Sequence, residues 1–170
     1  MWLDLRSFLG GPMGSSDPTP GREDGGLSFD ETAWPLLYVR YPSNGLTNEG
    51  LEVLLDRMMS YLRRRQQFAA LVDCRGMTMA HTAHQRRRIA EWFVEPELER
   101  LAPHAIAIVV LFRSAVIRGA LTAVNWIKPP PAPVKAFGSV ADSAPWVRER
   151  FAEESIRVTP AMEDLLASRQ

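Results

Sequence analysis

The sequence predicts an α/β protein built on one open, mostly parallel sheet. Three observations carry that expectation. Apolar runs at 68–73 and 105–112 suit strands buried on both faces, and 134–137 reads as a third short buried strand. The segments between them place apolar residues at the i, i+3, i+4 spacing of helices. Strands and helices alternate after an initial pair of strands, in the order β-β-α-β-α-β-α-β-α, with connections long enough to join parallel strands.

Residues 10–26 are rich in Gly, Pro, Ser and Asp and hold almost no large apolar side chain, so they read as a linker. Before them, Trp2, Leu5 and Leu9 share a helical face with Phe8 beside it; they read as a tail that folds back on the domain or docks on a partner. The domain plan is a flexible tail over 1–26, a domain over 27–155 and a C-terminal tail over 156–170.

Within the domain, 27–30 and 36–41 read as strands around a turn at Glu31–Thr32–Ala33. Pro35 stands at the start of the second strand, where a missing N–H does least harm. Thr47 is a helix N-cap, Glu49 suits the positive helix end, and Leu51, Leu54, Leu55, Met58, Met59 and Leu62 form one apolar face over 48–64. The strand at 68–73 comes next. Thr82 and Gln85 then form a capping box for a helix over 83–95, with Ile89, Trp92 and Phe93 inward. Pro96 splits this helix from the segment that runs on to Leu101.

After the strand at 105–112, Ser114 caps a helix over 115–127 whose face includes Ile117, Leu121, Val124 and Ile127. The prolines at 129–131 and 133 stop it. A short strand at 134–137 leads to a last helix. Its start is read at Asp142 or Ser143, with Pro145 in its first turn and Trp146, Val147 and Phe151 inward. Beyond Ser155 only a weak turn around 162–166 is expected.

Composition bounds the function. The 170 residues are 46% hydrophobic and 24% charged, enough for a core without metal or disulfide staples. Lys+Arg and Asp+Glu are 20 each, and zero net charge argues against bulk attraction to nucleic acid or an anionic membrane. A single cysteine, Cys74, forms no intrachain disulfide. With no secretory pattern at the N-terminus and no apolar run long enough to span a bilayer, the expected location is cytoplasmic.

The motifs Trp34–Tyr41, Phe68–Gly76, Gln85–Trp92 and Ser114–Trp126, in that order, span most of 27–155. Together they resemble the SpoIIAA-like fold shared by STAS domains and the lipid-binding Sec14 domains, and most closely a bacterial STAS/SEC14-type family. The resemblance implies a non-catalytic regulatory or protein-interaction module, with a small-molecule or lipid carrier as the alternative. In anti-sigma antagonists of the STAS class a phosphorylatable serine follows the strand that matches 68–73. Here that stretch lacks the Asp-Ser pair, and Thr78 and Thr82 are its only hydroxyls.

Each suggestive group has a plain reading beside the sharper one. Thr82 is a phosphate acceptor or simply the cap. Cys74, His81, His84 and His104 are too few and too scattered to assign a metal site or a thiol nucleophile. Arg63–Arg65 and Arg86–Arg88 could grip phosphates, but zero net charge and the lack of interleaved aromatics favour a solvated face with ion pairs to nearby glutamates. Met58, Met59, Met77 and Met79 are adaptable surface or core filler. No nucleophile, base and oxyanion donor assemble, so no catalytic residue, cofactor or metal is expected.

The expected surface lies at the carboxyl ends of the parallel strands, where open α/β sheets place their sites. Its candidates are Arg75, Thr78, Thr82, Arg113 and Arg118, with Trp126 as an apolar anchor. Internal pairing of Arg75 and Arg118, with Asp73 as a partner, is the competing account. The expected partner is another protein with a homodimer left open, and neither nucleic acid nor membrane insertion.

Overall fold

The computed structural model describes residues 26–79, 81–115, 117–119 and 130–168. Five strands form one sheet in sequence order: β1 (Ser28–Asp30), β2 (Leu36–Arg40), β3 (Phe68–Asp73), β4 (Ala105–Leu111) and β5 (Val134–Phe137). The β1–β2 pair is antiparallel and the other three are parallel, as the connection lengths require.

Strands added in one direction by right-handed crossovers put their helices on one face. There α1 (Asn48–Arg63), α2 (Ala83–Trp92) and α3 (Pro96–Leu101) contribute Leu51, Leu55, Trp92, Leu98 and Leu101 to a core with Leu37, Val39, Phe68 and Ala70. The opposite face carries a second core. It joins Leu36, Tyr38, Leu71, Val109 and Leu111 to α4 (Val140–Glu153) and α5 (Pro160–Ser168). Both faces of β3 and β4 are therefore covered, which is why their sequences run apolar without alternation.

The caps fall where the side chains allow them. Thr47 accepts from the Gly50 amide at 3.0 Å and opens α1. Thr82 and Gln85 form both halves of the expected capping box. Ser114 receives the Ile117 amide at 3.4 Å, and the chain is helical at 115 and 117–119. The remainder of the helix expected over 115–127, including Trp126, lies outside the described residues, as does the tail before residue 26.

Four expectations are corrected. The second helix ends at Trp92 rather than 95. Phe93 is therefore not inward: it stands 40% exposed against the edge of Trp92. Ile117, assigned to an inward face, is 48% exposed. The helix after β5 begins earlier than Asp142 or Ser143. Ser139 accepts from the Asp142 amide at 3.1 Å and starts α4 at Val140, which leaves Pro145 in its interior and Trp146 half-buried on Phe137. Finally, 160–168 is a full helix, and Met162 and Leu166 are buried in the second core. Burying two such side chains stabilises by about 3–6 kcal/mol, so this segment belongs to the fold and not to a tail.

Among the described residues no helix is long and apolar enough to cross a membrane.

Candidate functional site

The parallel register aligns the carboxyl ends of the strands. Arg40 of β2 lies opposite Asp73 of β3, which lies opposite Leu111 of β4, which lies opposite Phe137 of β5. The backbone ladder continues one residue further on each pair. Tyr41 donates to the Asp73 carbonyl at 3.0 Å, Cys74 to that of Leu111 at 3.1 Å and Phe112 to that of Phe137 at 3.0 Å. Each loop therefore leaves the sheet from a fixed point.

Further bonds tie the loops together. The Thr78 amide and hydroxyl both donate to the Ser43 carbonyl, at 2.8 and 2.9 Å, which joins the loop after β3 to the loop after β2. Gln85 is buried and donates to the Leu46 carbonyl at 2.7 Å. Gly45 holds φ +82, a conformation that favours glycine, while its amide closes a turn on Pro42. After β4, Arg118 donates to the carbonyls of Phe112 and Arg113 at 2.7 and 2.8 Å.

Over these ends lies a cleft of about 510 Å³, lined by Tyr38, Arg40, Tyr41, Ser43, Asp73, Arg75, Gly76 and Arg113 together with Gly26 and Pro42. Its floor is an ion pair. Arg75 Nε and Nη2 donate to the two oxygens of Asp73 at 3.0 and 2.9 Å, and the Arg75 amide donates to the same carboxylate at 3.0 Å. The Tyr38 hydroxyl adds a fourth bond at 2.5 Å. Burial pushes the Asp73 carboxyl up. The hydrogen bonds from Arg75 and Tyr38 and the guanidinium charge outweigh that, so its pKa sits below the ordinary 3.8.

The candidate residues divide. Arg75 and Arg113 meet at the cleft, but Arg75 is committed to Asp73 and Arg118 to backbone carbonyls, so internal pairing describes both. Thr78 and Thr82 hold a loop and a helix end and do not line the cleft. Three residues that line it were not singled out in the sequence: Arg40, Tyr38 and Ser43. The carboxyl-end rule applied to β2, as well as to β3 and β4, points to Arg40 directly.

Burial and then the Asp73 charge push the Cys74 thiol up to about 12, which keeps it protonated and a poor nucleophile. Burial, aided by Arg86, lowers the His81 pKa; its ring meets Tyr41 edge-on at 6.0 Å. Among the described residues no three His, Cys, Asp or Glu side chains are placed to hold a metal ion. Half of the arginines in the two runs are ion-paired: Arg63 with Glu97, Arg64 with Glu31, and Arg88 with Glu52 and Glu95.

A second, apolar pocket of about 160 Å³ lies between β3, β4 and the helices, walled by Leu54, Met58, Ile89, Trp92, Phe93 and Ile108 among others. The buried Trp92 Nε1 has no hydrogen-bond partner.

No family model matches this chain, and no curated protein matches it. The chain is similar to the crystal structure of an uncharacterized protein of the DUF3478 family, described as having a SpoIIAA-like fold, from Shewanella loihica. The two are 14% identical over 79% of this chain and 99% of that one, with a TM-score of 0.46.

Proposed function

We propose that the protein is a non-catalytic interaction module that receives a segment of another protein at the carboxyl rim of its sheet. The observation that carries this reading is the cleft lined by Arg40, Arg75 and Arg113. Thr78 ties the loop after β3 to the loop after β2 and Arg118 holds the backbone after β4, so the backbone that carries the cations is set before a partner arrives.

The groups that a reaction would use are otherwise engaged. Asp73 accepts four hydrogen bonds, Thr82 caps a helix and Cys74 stays a thiol. A reducing, cytoplasmic setting suits that lone thiol. The carrier alternative finds less support. Its apolar pocket of about 160 Å³ is smaller than the ~300–1,000 Å³ of ordinary ligand sites.

The test is capture of native partners by tagged protein, wild type against Arg40→Glu and Arg113→Glu. Both charge reversals are expected to lose partners that the wild type retains, with the thermal midpoint unchanged. Undiminished capture by both variants refutes the reading.

A further inference from the structure

We infer that the rim cleft binds a phosphate monoester dianion between Arg40 and Arg113. This rests on the rim being the binding surface and names the chemistry it recognises. Three arginines and one aspartate line the cleft, a net of two positive charges. Arg75 and Asp73 cancel each other through their bidentate pair. The surplus therefore resides on Arg40 and Arg113, and among the described residues neither forms an ion pair. Arg40 lies over the face of Tyr38, at 6.0 Å from the ring centre.

Geometry narrows the ligand. Arg40 ends β2 and Arg113 follows β4, the two strands that flank β3. Neighbouring strands lie about 4.8 Å apart, so these two lie about 10 Å apart with the neutralised pair between them. Two arginines that line one cleft from strands on either side of β3 suit an anion with oxygens directed both ways. A carboxylate carries one charge and satisfies one guanidinium in bidentate fashion. A phosphate monoester carries about −1.5 to −2 near neutral pH on three terminal oxygens, which matches both the charge and the two-sided placement. Ser43 adds an exposed hydroxyl to the same wall.

The backbone fixes both cations without occupying them. The carbonyl of Arg113 is held by Arg118, and Arg40 is held through the β1–β2 and β2–β3 ladders. Neither guanidinium needs a large backbone movement to meet a ligand.

The experiment titrates the full chain, followed by NMR of the arginine side chains, with O-phosphoserine, inorganic phosphate, serine, and one peptide in phosphoserine and unmodified forms. Saturable binding of the phosphorylated probes is expected, with none for serine or the unmodified peptide. Arg40→Gln and Arg113→Gln should each weaken it about tenfold, which corresponds to loss of one charge-assisted contact. Arg87→Gln, outside the cleft, should not change it. A phosphopeptide that binds tighter than O-phosphoserine identifies a phosphorylated protein as the source; equal affinities identify a free monoester.

Lack of saturation by every phosphorylated probe at about 10 mM, weaker than any useful affinity, overturns the inference. So does binding that survives in the Arg40→Gln/Arg113→Gln double variant. If the charge reversals still abolish protein capture in that case, the interaction reading stands and only the phosphate chemistry fails. If phosphate binds as expected but capture is insensitive to charge reversal, the failure is of the interaction reading alone.

Discussion

The two ends of the sheet use the same residue types to opposite effect. At the amino end of β3, Phe68 stacks on Trp34 with ring centres 5.6 Å apart, and Tyr61 lies against both. Arg64 lies over Trp34 and Tyr61 at 4.7 and 4.8 Å and pairs with Glu31, which also accepts from the Tyr61 hydroxyl. At the carboxyl end Tyr38 and Tyr41 line an open cleft, and two of its three arginines pair with no carboxylate among the described residues. Arginine at the closed end is part of the packing. Arginine at the open end is left over from it, and the proposed binding surface rests on that surplus.

The largest way to test this contrast is at the closed end. Phe68→Ala removes a fully buried ring that packs on Trp34 and Tyr61. The cavity is walled by the β-strand backbone and by rings that cannot collapse far. Loss of about 3–5 kcal/mol is expected, read from the urea midpoint. A loss below about 1 kcal/mol would mean that the amino end is not the stabilising end.

The next effect is at the floor of the open end. Asp73→Asn leaves the half-buried Arg75 guanidinium without its counter-charge, and a cost of about 2–3 kcal/mol is expected at neutral pH. The sign with pH follows from the depressed carboxyl. Its stabilisation is complete above the ordinary value of 3.8 and is lost as pH falls through the lower folded value. The gap between wild type and variant should therefore stay constant above about pH 5 and narrow below about pH 4. A gap that widens with acid would contradict the pairing.

Much of the fold was legible in the sequence, and the reasons are local. Apolar runs located β3 and β4, whereas β5, read as a buried strand, lies at the sheet edge with Lys135 exposed. Capping logic located α1 and α2, because Thr47 and Thr82 stand just ahead of helical spacing. The start of α4 was misread because two polar residues near Pro145 offered caps as good as Ser139, and only the tertiary packing of Val140 decides between them. The C-terminal helix was missed because nine residues with few apolar positions give a weak period; its stability comes from burial of Met162, Leu165 and Leu166 in the second core.

The site was legible in position but not in membership. The strand order directs attention to the carboxyl rim, yet which arginines pair internally depends on side-chain reach that no spacing encodes. Arg75 follows Asp73 by two residues and folds back onto it, whereas Arg113 follows β4 and forms no ion pair among the described residues.

A smaller effect compares the arginines of the two ends directly. Arg64→Ala removes a guanidinium lying on two rings and a half-exposed pair to Glu31. A cost of about 1 kcal/mol is expected, most of it insensitive to salt because the stacking is apolar as well as electrostatic. Thermal unfolding in low and high salt separates the two parts.

The smallest expected effect is the most informative about the rim. Arg40→Ala and Arg113→Ala each remove an exposed side chain that makes no ion pair among the described residues, so stability should change by no more than about 0.5 kcal/mol. The sign should differ from that of Arg64. Like charges gathered around one cleft repel, and removing one relieves that repulsion. The double variant should therefore match or slightly exceed the wild-type thermal midpoint at low salt. The difference should vanish near 1 M salt, where the screening length falls to about 3 Å. A double variant that unfolds several degrees earlier at both salt concentrations would mean that these arginines hold the loops, and the contrast between the closed and open ends of the sheet would then fail.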